Sequence, residues 1–117
     1  MWILNPFSMR QAPAVAHQPY VELTDWHVIE CKGNQRFLLG LLPGKETMRI
    51  TTNIQTVEFA TRTWITQSGR TYYTPGGPTS DAALTGEMRV FAKSSGIHGE
   101  IKDVSDEMWT AMRRSIN

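Results

Sequence analysis

The sequence predicts an α+β fold: a strongly twisted antiparallel sheet of about five strands, open or partly closed into a barrel, with one or two short C-terminal helices. Runs rich in β-branched and aromatic residues, separated by turn residues, fill residues 26–74. Two later stretches begin with serine and acidic residues and continue with apolar residues at helical spacing. All of this lies in 117 residues, the size of one ordinary domain.

We predict two parts, an extended N-terminal arm over residues 1–20 and a single small α+β domain over residues 21–117. Pro6, Pro13 and Pro19 exclude a regular helix from the arm. The arm begins with large apolar side chains: Trp2, Ile3, Leu4 and Phe7. These side chains should not remain in water, so they either fold back on the domain or bind a partner.

The first strands of the domain should form a hairpin over residues 26–42. Residues 26–31 are rich in β-forming side chains, and residues 32–35, Lys-Gly-Asn-Gln, have turn chemistry. The returning strand, residues 36–42, is apolar on both faces. This pattern indicates a central, buried strand.

Two further turns determine which side chains of residues 47–74 share a face. A two-residue turn at Ala60-Thr61 places Val57 opposite Trp64, and a two-residue turn at Ser68-Gly69 places Trp64 opposite Tyr73. On that register Val57, Trp64 and Tyr73 face the core, together with Phe59. The other face, suited to solvent or to a binding partner, carries Thr56, Glu58, Thr63, Ile65, Arg70 and Tyr72.

Residues 84–93 are compatible with either a helix or a strand. Ser80-Asp81 is a helix start, and Leu84, Met88 and Phe91 follow at helical spacing. Gly86 weakens a helix, so a strand over residues 87–93 is the alternative.

The tail predicts a short terminal helix over residues 106–115. Ser105 is its expected cap, two acidic residues fill the first turn, and Arg113 and Arg114 suit the negative end of the helix dipole. The predicted core of the domain comprises Trp26, Val28, Phe37, Leu39, Leu41, Ile50, Val57, Phe59, Trp64, Tyr73, Leu84, Met88 and Trp109.

Composition limits the possible functions and locations. The net charge is +1, without the basic excess that dedicated nucleic-acid binders usually show. Cys31 is the only cysteine, so no internal disulfide is possible and nothing requires an oxidising compartment. The apolar start has neither the basic leading region nor the length of a signal peptide, and no stretch is long enough to span a membrane. We therefore expect a cytoplasmic protein that does not associate with membranes.

No residue pattern predicts an enzyme, a cofactor or a metal. Cys31 lies within a strand, in phase with Ile29, where a cysteine is usually a small buried side chain. The three histidines are scattered and lack the spacing of metal ligands. The loop Pro75-Gly76-Gly77-Pro78 has no following lysine, so it fits a rigid connector better than a phosphate-binding loop.

Two segments nevertheless have a recognisable pattern, the turn Ser68-Gly69-Arg70-Thr71-Tyr72 and the loop Pro75-Gly76-Gly77-Pro78. With these the chain resembles a group of small uncharacterised bacterial proteins, some of them encoded in prophages and other mobile elements. In that group a strand pair turns at Ser-Gly-Arg-x-Tyr and a Gly-Pro loop follows. After Phe59, where the group has an acidic residue, this chain has Ala60. The resemblance implies a fold and supplies no activity or catalytic residues.

For function, the sequence favours a non-catalytic protein-interaction module, accessory or inhibitory, whose partner is another protein or a second copy of the chain. The apolar arm and exposed strand edges are the features that support this prediction. The alternative is a nucleic-acid-binding module in which Arg62 and Arg70 hold phosphates and Tyr72 stacks on a base.

Overall fold

The computed structural model describes residues 14–44 and 47–116, and for Ile116 the backbone only. The fold is α+β, as predicted. The strands are β1 (Tyr20–Glu22), β2 (Thr24–Cys31), β3 (Gln35–Leu41), β4 (Met48–Ile50), β5 (Ile54–Glu58), β6 (Thr63–Thr66), β7 (Thr71–Tyr73) and β8 (Lys102–Asp103). The helices are α1 (Ala82–Ser94) and α2 (Ser105–Ile116).

The strands form two separate sheets of four strands each, so the prediction of one sheet of about five strands is too simple. Sheet 1 has the order β1-β7-β6-β5 and sheet 2 the order β4-β3-β2-β8. The chain changes sheets between β1 and β2, where Asp25 has a φ of 49° and the register of β2 shifts. Such a break allows adjacent segments to enter different sheets, and neither sheet closes into a barrel.

The hairpin predicted over residues 26–42 is confirmed. A short 3-10 turn, Lys32–Asn34, joins β2 to β3, and Gly33 and Asn34 supply its positive φ angles of 80° and 61°. Strand β3 lies between β4 and β2, which confirms its predicted central position.

Only one of the two predicted registers in the following block is correct. Val57 does pair with Trp64, but Trp64 pairs with Tyr72 rather than Tyr73. The backbone N–H of Thr66 donates to the carbonyl of Arg70 at 3.2 Å, which leaves residues 67–69 as a longer loop than the two-residue turn predicted. This extra residue turns Tyr72 into the core and Tyr73 outward, so the predicted core position of Tyr73 is wrong.

Three layers enclose two groups of core side chains. Sheet 1 packs on sheet 2 around Trp26, Val28, Leu38, Trp64 and Tyr72, and α2 adds Met108 and Met112 to this core. On the other face of sheet 2, α1 packs around Ile29, Leu39, Met48, Met88 and Ala92. Sheet 2 is therefore covered on both faces, whereas sheet 1 buries only one face.

Both C-terminal helices form. Residues 84–93 lie within α1, so the strand alternative is wrong there. The cap is Asp81, whose carboxylate accepts the backbone N–H groups of Ala83 at 2.9 Å and Leu84 at 3.2 Å. Helix α2 has Asp106 and Glu107 in its first turn, as predicted. Ser105 is its first residue rather than its cap, because the Oγ of Ser105 bonds Val28 and His27 and not an N–H group of the helix.

The start of the described chain is tied to sheet 1. The carbonyl of Pro19 accepts the N–H of Thr71 at 2.9 Å, and β1 then pairs in parallel with β7. Trp2, Ile3, Leu4 and Phe7, the predicted partner-binding residues of the arm, lie outside the described residues. Among the described residues, no helix has the length and apolar character needed to cross a membrane.

Gly40 of β3 is required by close packing, and its replacement should destabilise the fold. A Cβ at this position would lie 2.9 Å from the Cβ of Leu23 and 3.2 Å from the carbonyl oxygen of Thr24. Because these atoms belong to or adjoin the backbone, a strand must move. We expect Gly40→Ala to lower the free energy of unfolding by about 1–3 kcal/mol. The control is Gly76→Ala, because an added Cβ has open space at Gly76. Urea denaturation of both variants measures the two losses of stability, and equal losses would contradict the prediction.

Candidate binding surfaces

The structure separates the three residues predicted to bind nucleic acid. Tyr72 is 2 % exposed and belongs to the core between the sheets. Arg70 is 4 % exposed, and its Nε donates to the carbonyl of Gln18 at 2.8 Å. Arg62 is half-buried in the turn between β5 and β6. These three side chains do not form one exposed face, because the longer loop at residues 67–69 reverses the expected side of Tyr72.

The uncovered face of sheet 1 has a different composition from the one predicted. The pairings place one row of side chains across the sheet as Thr56, Ile65, Thr71 and Tyr20. The neighbouring row is Glu58, Thr63, Tyr73 and Glu22. We call these eight residues the outer face. The sequence predicted Thr56, Glu58, Thr63 and Ile65 on this face. It did not predict Thr71 or Glu22, and it placed Tyr20 in the arm and Tyr73 in the core.

The centre of the outer face is uncharged and its second row ends in carboxylates. Tyr20 is 55 % exposed and Ile65 is 43 % exposed. The rings of Tyr20 and Tyr73 are stacked, with centroids 6.4 Å apart. Glu22 and Glu58, both exposed, form no ion pair with any residue of the described ranges. This surface therefore offers apolar and aromatic contact beside two unneutralised negative charges.

A second surface lies where the β5–β6 turn, the Pro75–Pro78 loop and α2 meet. The Cζ atom of Arg62 lies 5.0 Å from the ring centroid of Trp109, and that of Arg113 lies 5.8 Å from it. Trp109 is half-buried with its ring edge-on to Trp26 at 6.4 Å. We call Arg62, Trp109 and Arg113 the guanidinium–indole cluster. Sequence reasoning identified Arg62 and treated Trp109 as core, and nothing in the spacing indicated that they meet.

The backbone holds Arg62 in an uncommon conformation. Its φ of 56° lies in the left-handed region, which non-glycine residues seldom adopt. The carbonyl of Arg62 accepts the N–H of Thr74 at 3.1 Å, and its Nη1 donates to the carbonyl of Pro75. On the other side, a Cβ added to Gly77 would lie 3.2 Å from the Trp109 ring, so this loop packs directly on the indole. The position of the cluster is therefore fixed by three elements.

One group of side chains has the composition of a hydrolase triad but not its accessibility. The Nδ1 of His27 lies 3.0 Å from the Oγ of Ser105 and 3.7 Å from the Oδ1 of Asp103. Ser105 Oγ also accepts the N–H of Val28 at 2.8 Å, and both Ser105 and His27 are buried. A nucleophile must reach its substrate, and the buried Oγ of Ser105 is instead bonded to β2, so this arrangement joins α2 to β2.

The pKa values of His27 and Asp103 are both lowered, although burial by itself lowers the first and raises the second. Burial lowers the pKa of His27 below 6.5, the charge of Asp103 opposes this, and the charge of Arg89 adds to it. For Asp103, burial is outweighed by hydrogen bonds from Ser105 and by the charges of His27 and Arg89, so its pKa is lowered from 3.8. At neutral pH the site therefore holds a neutral imidazole beside a carboxylate.

A cavity of about 340 Å³ opens at the end of β2. Its lining includes Glu30, Cys31, His98 and Glu100. Burial, followed by the charge of Glu30, raises the pKa of the Cys31 thiol, so the reactive thiolate is disfavoured. Glu30 is engaged by Arg36 at 2.8 Å. Within the described ranges, no three His, Cys, Asp or Glu side chains are grouped so that they could hold a metal ion.

Comparison of the chain with protein-family models, with curated proteins and with solved structures gave no match.

Proposed function

We propose that this chain is a non-catalytic protein-interaction module that binds a partner protein through the outer face of sheet 1. The observation that carries the proposal is that sheet 1 leaves this face uncovered by the described residues, with Ile65 substantially exposed on a central strand and Tyr20 substantially exposed on the edge strand β1. Exposed aromatic and aliphatic side chains grouped on one regular surface are typical of protein interfaces. A cytoplasmic accessory or inhibitory role is part of this proposal.

The charges of the outer face favour a basic partner. Glu22 and Glu58 lie at the two ends of the row that contains Tyr73. Carboxylates beside an aromatic pair attract lysine and arginine side chains, both by charge and by cation–π contact. The same carboxylates repel phosphates. The outer face is therefore better suited to a protein with basic side chains than to nucleic acid.

Ile65→Lys should weaken partner binding strongly while changing the stability of the fold little. Ile65 lies at the centre of the outer face, where a new ammonium group would be buried on association, so we expect at least about a tenfold loss of affinity. Because the side chain is 43 % exposed, the free energy of unfolding should change by no more than about 0.5 kcal/mol. Affinity capture from the native cell, followed by titration of the recovered partner against both proteins, measures this.

Val90→Lys is the matched control. Val90 is 65 % exposed on α1, which covers the face of sheet 2 directed away from sheet 1. This variant should bind like the unchanged chain. Light scattering identifies the case in which the partner is a second copy, since Ile65→Lys would then convert a dimer into a monomer. Retained binding by Ile65→Lys, or equal loss in Val90→Lys, would overturn the proposal.

A further inference from the structure

We propose that the guanidinium–indole cluster of Arg62, Trp109 and Arg113 is a binding site for a phosphate-class dianion. The site is independent of the outer face, because it is formed by the β5–β6 turn, the Pro75–Pro78 loop and α2. Its ligand is identified by the charge and geometry of the two guanidinium groups.

The cluster contains two positive charges and no negative one. Both guanidinium groups lie over one indole ring, at 5.0 Å and 5.8 Å from its centroid. No carboxylate in the described ranges is within ion-pair distance of either group. The indole attracts each cation but leaves its charge in place. A doubly charged anion that contacts both groups is matched to their charge better than a single carboxylate is.

The donors of the two guanidinium groups also suit phosphate in their geometry. A guanidinium group presents its N–H donors in a planar fork that fits the oxygens of phosphate. Arg62 uses one of its Nη1 donors on the carbonyl of Pro75, which fixes the plane of the group and leaves other donors for a ligand. Arg113 is exposed on α2, so an anion has access from solvent.

The backbone of Arg62 has a positive φ angle, which is uncommon for an arginine. A φ of 56° favours glycine or asparagine, and an arginine there is under local strain. Such strain is retained where the side chain has a role, and the position of the guanidinium over Trp109 suggests that role. The nucleic-acid alternative is less suited to this site, because guanidinium groups already lie over the indole ring on which a base would stack.

The test is an NMR titration of the full ¹⁵N-labelled chain with inorganic phosphate at pH 7.5, with sodium chloride of equal ionic strength as reference. We expect the indole Nε1–H of Trp109 and the Nε–H signals of Arg62 and Arg113 to shift in a saturable manner with phosphate but not with chloride. Arg113→Gln and Arg62→Asn should each weaken binding by about tenfold, the loss expected of one charge-assisted pair. Asparagine tolerates the left-handed conformation, so Arg62→Asn should remain folded.

Arg114→Gln is the control, since Arg114 is the exposed neighbour of Arg113 on α2 but makes no contact with Trp109 in the structure. It should leave the affinity for phosphate unchanged. A phosphoserine peptide that shifts the same signals at lower concentration would support the site and identify a phosphorylated side chain as the source. Equal shifts with chloride, equal loss in Arg114→Gln, or shifts produced only by a single-stranded oligonucleotide would overturn the proposal.

Discussion

Trp64→Ala should remove about 3–5 kcal/mol from the free energy of unfolding, the range for truncating a large buried aromatic side chain. Trp64 is completely buried between the two sheets, with its ring edge-on to Trp26 at a centroid distance of 5.3 Å. Its Nε1 donates to the Oγ1 of Thr74 at 2.9 Å. The loss is a large part of the roughly 5–15 kcal/mol that stabilises an ordinary domain, so the variant should unfold at a clearly lower urea concentration than the unchanged chain.

Trp64→Phe separates the two contributions of this side chain. Phenylalanine keeps most of the apolar contact with Trp26 but cannot donate to Thr74, so we expect a smaller loss of about 1–3 kcal/mol. Ile65→Ala is the matched control on the same strand, because Ile65 points to the outer face and should cost little. Urea denaturation of the three variants should show the largest loss of stability in Trp64→Ala, a smaller loss in Trp64→Phe and the smallest in Ile65→Ala. A loss in Ile65→Ala comparable with that in Trp64→Ala would contradict the assigned faces of β6.

Residue patterns predicted those parts of the fold whose signals are local. The β2–β3 hairpin, the pairing of Val57 with Trp64 and the acidic first turn of α2 depend on neighbouring residues, and all three are confirmed. The register of β7 depended on the length of a single loop. Because both candidates for the inward position are tyrosines, Tyr72 and Tyr73, hydrophobic pattern alone could not distinguish the two registers.

The remaining features depend on contacts between distant parts of the chain. No turn connects β1 directly to β7, so their parallel pairing is not predicted by the sequence, and the predicted boundary of the arm falls within β1, after Tyr20. Separation of the strands into two sheets likewise depends on tertiary packing. The same applies to the guanidinium–indole cluster, since Arg62 and Trp109 belong to different elements and only the fold brings them together. The individual residues of such a cluster can be recognised in a sequence, but the sequence pattern does not predict that they lie close together.

Acidification should destabilise this protein between neutral pH and the pH at which folded His27 binds its proton. His27 is 1 % exposed between sheet 2 and α1, and its Nε2 has no hydrogen-bond partner among the described residues. Burial lowers the pKa of this imidazole below its ordinary 6.5, the charge of Asp103 opposes that shift, and the charge of Arg89 adds to it. A proton placed on the folded ring would therefore enter a site that disfavours positive charge.

The direction of the pH dependence follows from proton counting. Below pH 6.5 the unfolded chain protonates His27 while the folded chain does not, so the unfolded state binds more protons. The free energy of unfolding therefore falls as the pH falls, with a limiting slope of about 1.4 kcal/mol per pH unit. This loss ends at the lowered pKa of the folded state. Asp103 acts in a separate window, because its stabilising contribution is present above pH 3.8 and is lost as the pH falls through its lowered folded value.

His27→Leu distinguishes this imidazole from every other titrating group. Leucine is similar in size and removes the unpartnered Nε2, and Ser105 Oγ keeps its hydrogen bond from the N–H of Val28. The variant should therefore lose the slope that begins below pH 6.5 while remaining folded at pH 7.5. His98→Gln is the control, since His98 is exposed and should leave the slope unchanged. Urea midpoints measured from pH 7.5 to 5 for both variants and the unchanged chain provide the comparison. If His27→Leu retains the acid slope, the proton that destabilises the fold binds to another group, and the contact between β2 and α2 is not sensitive to pH.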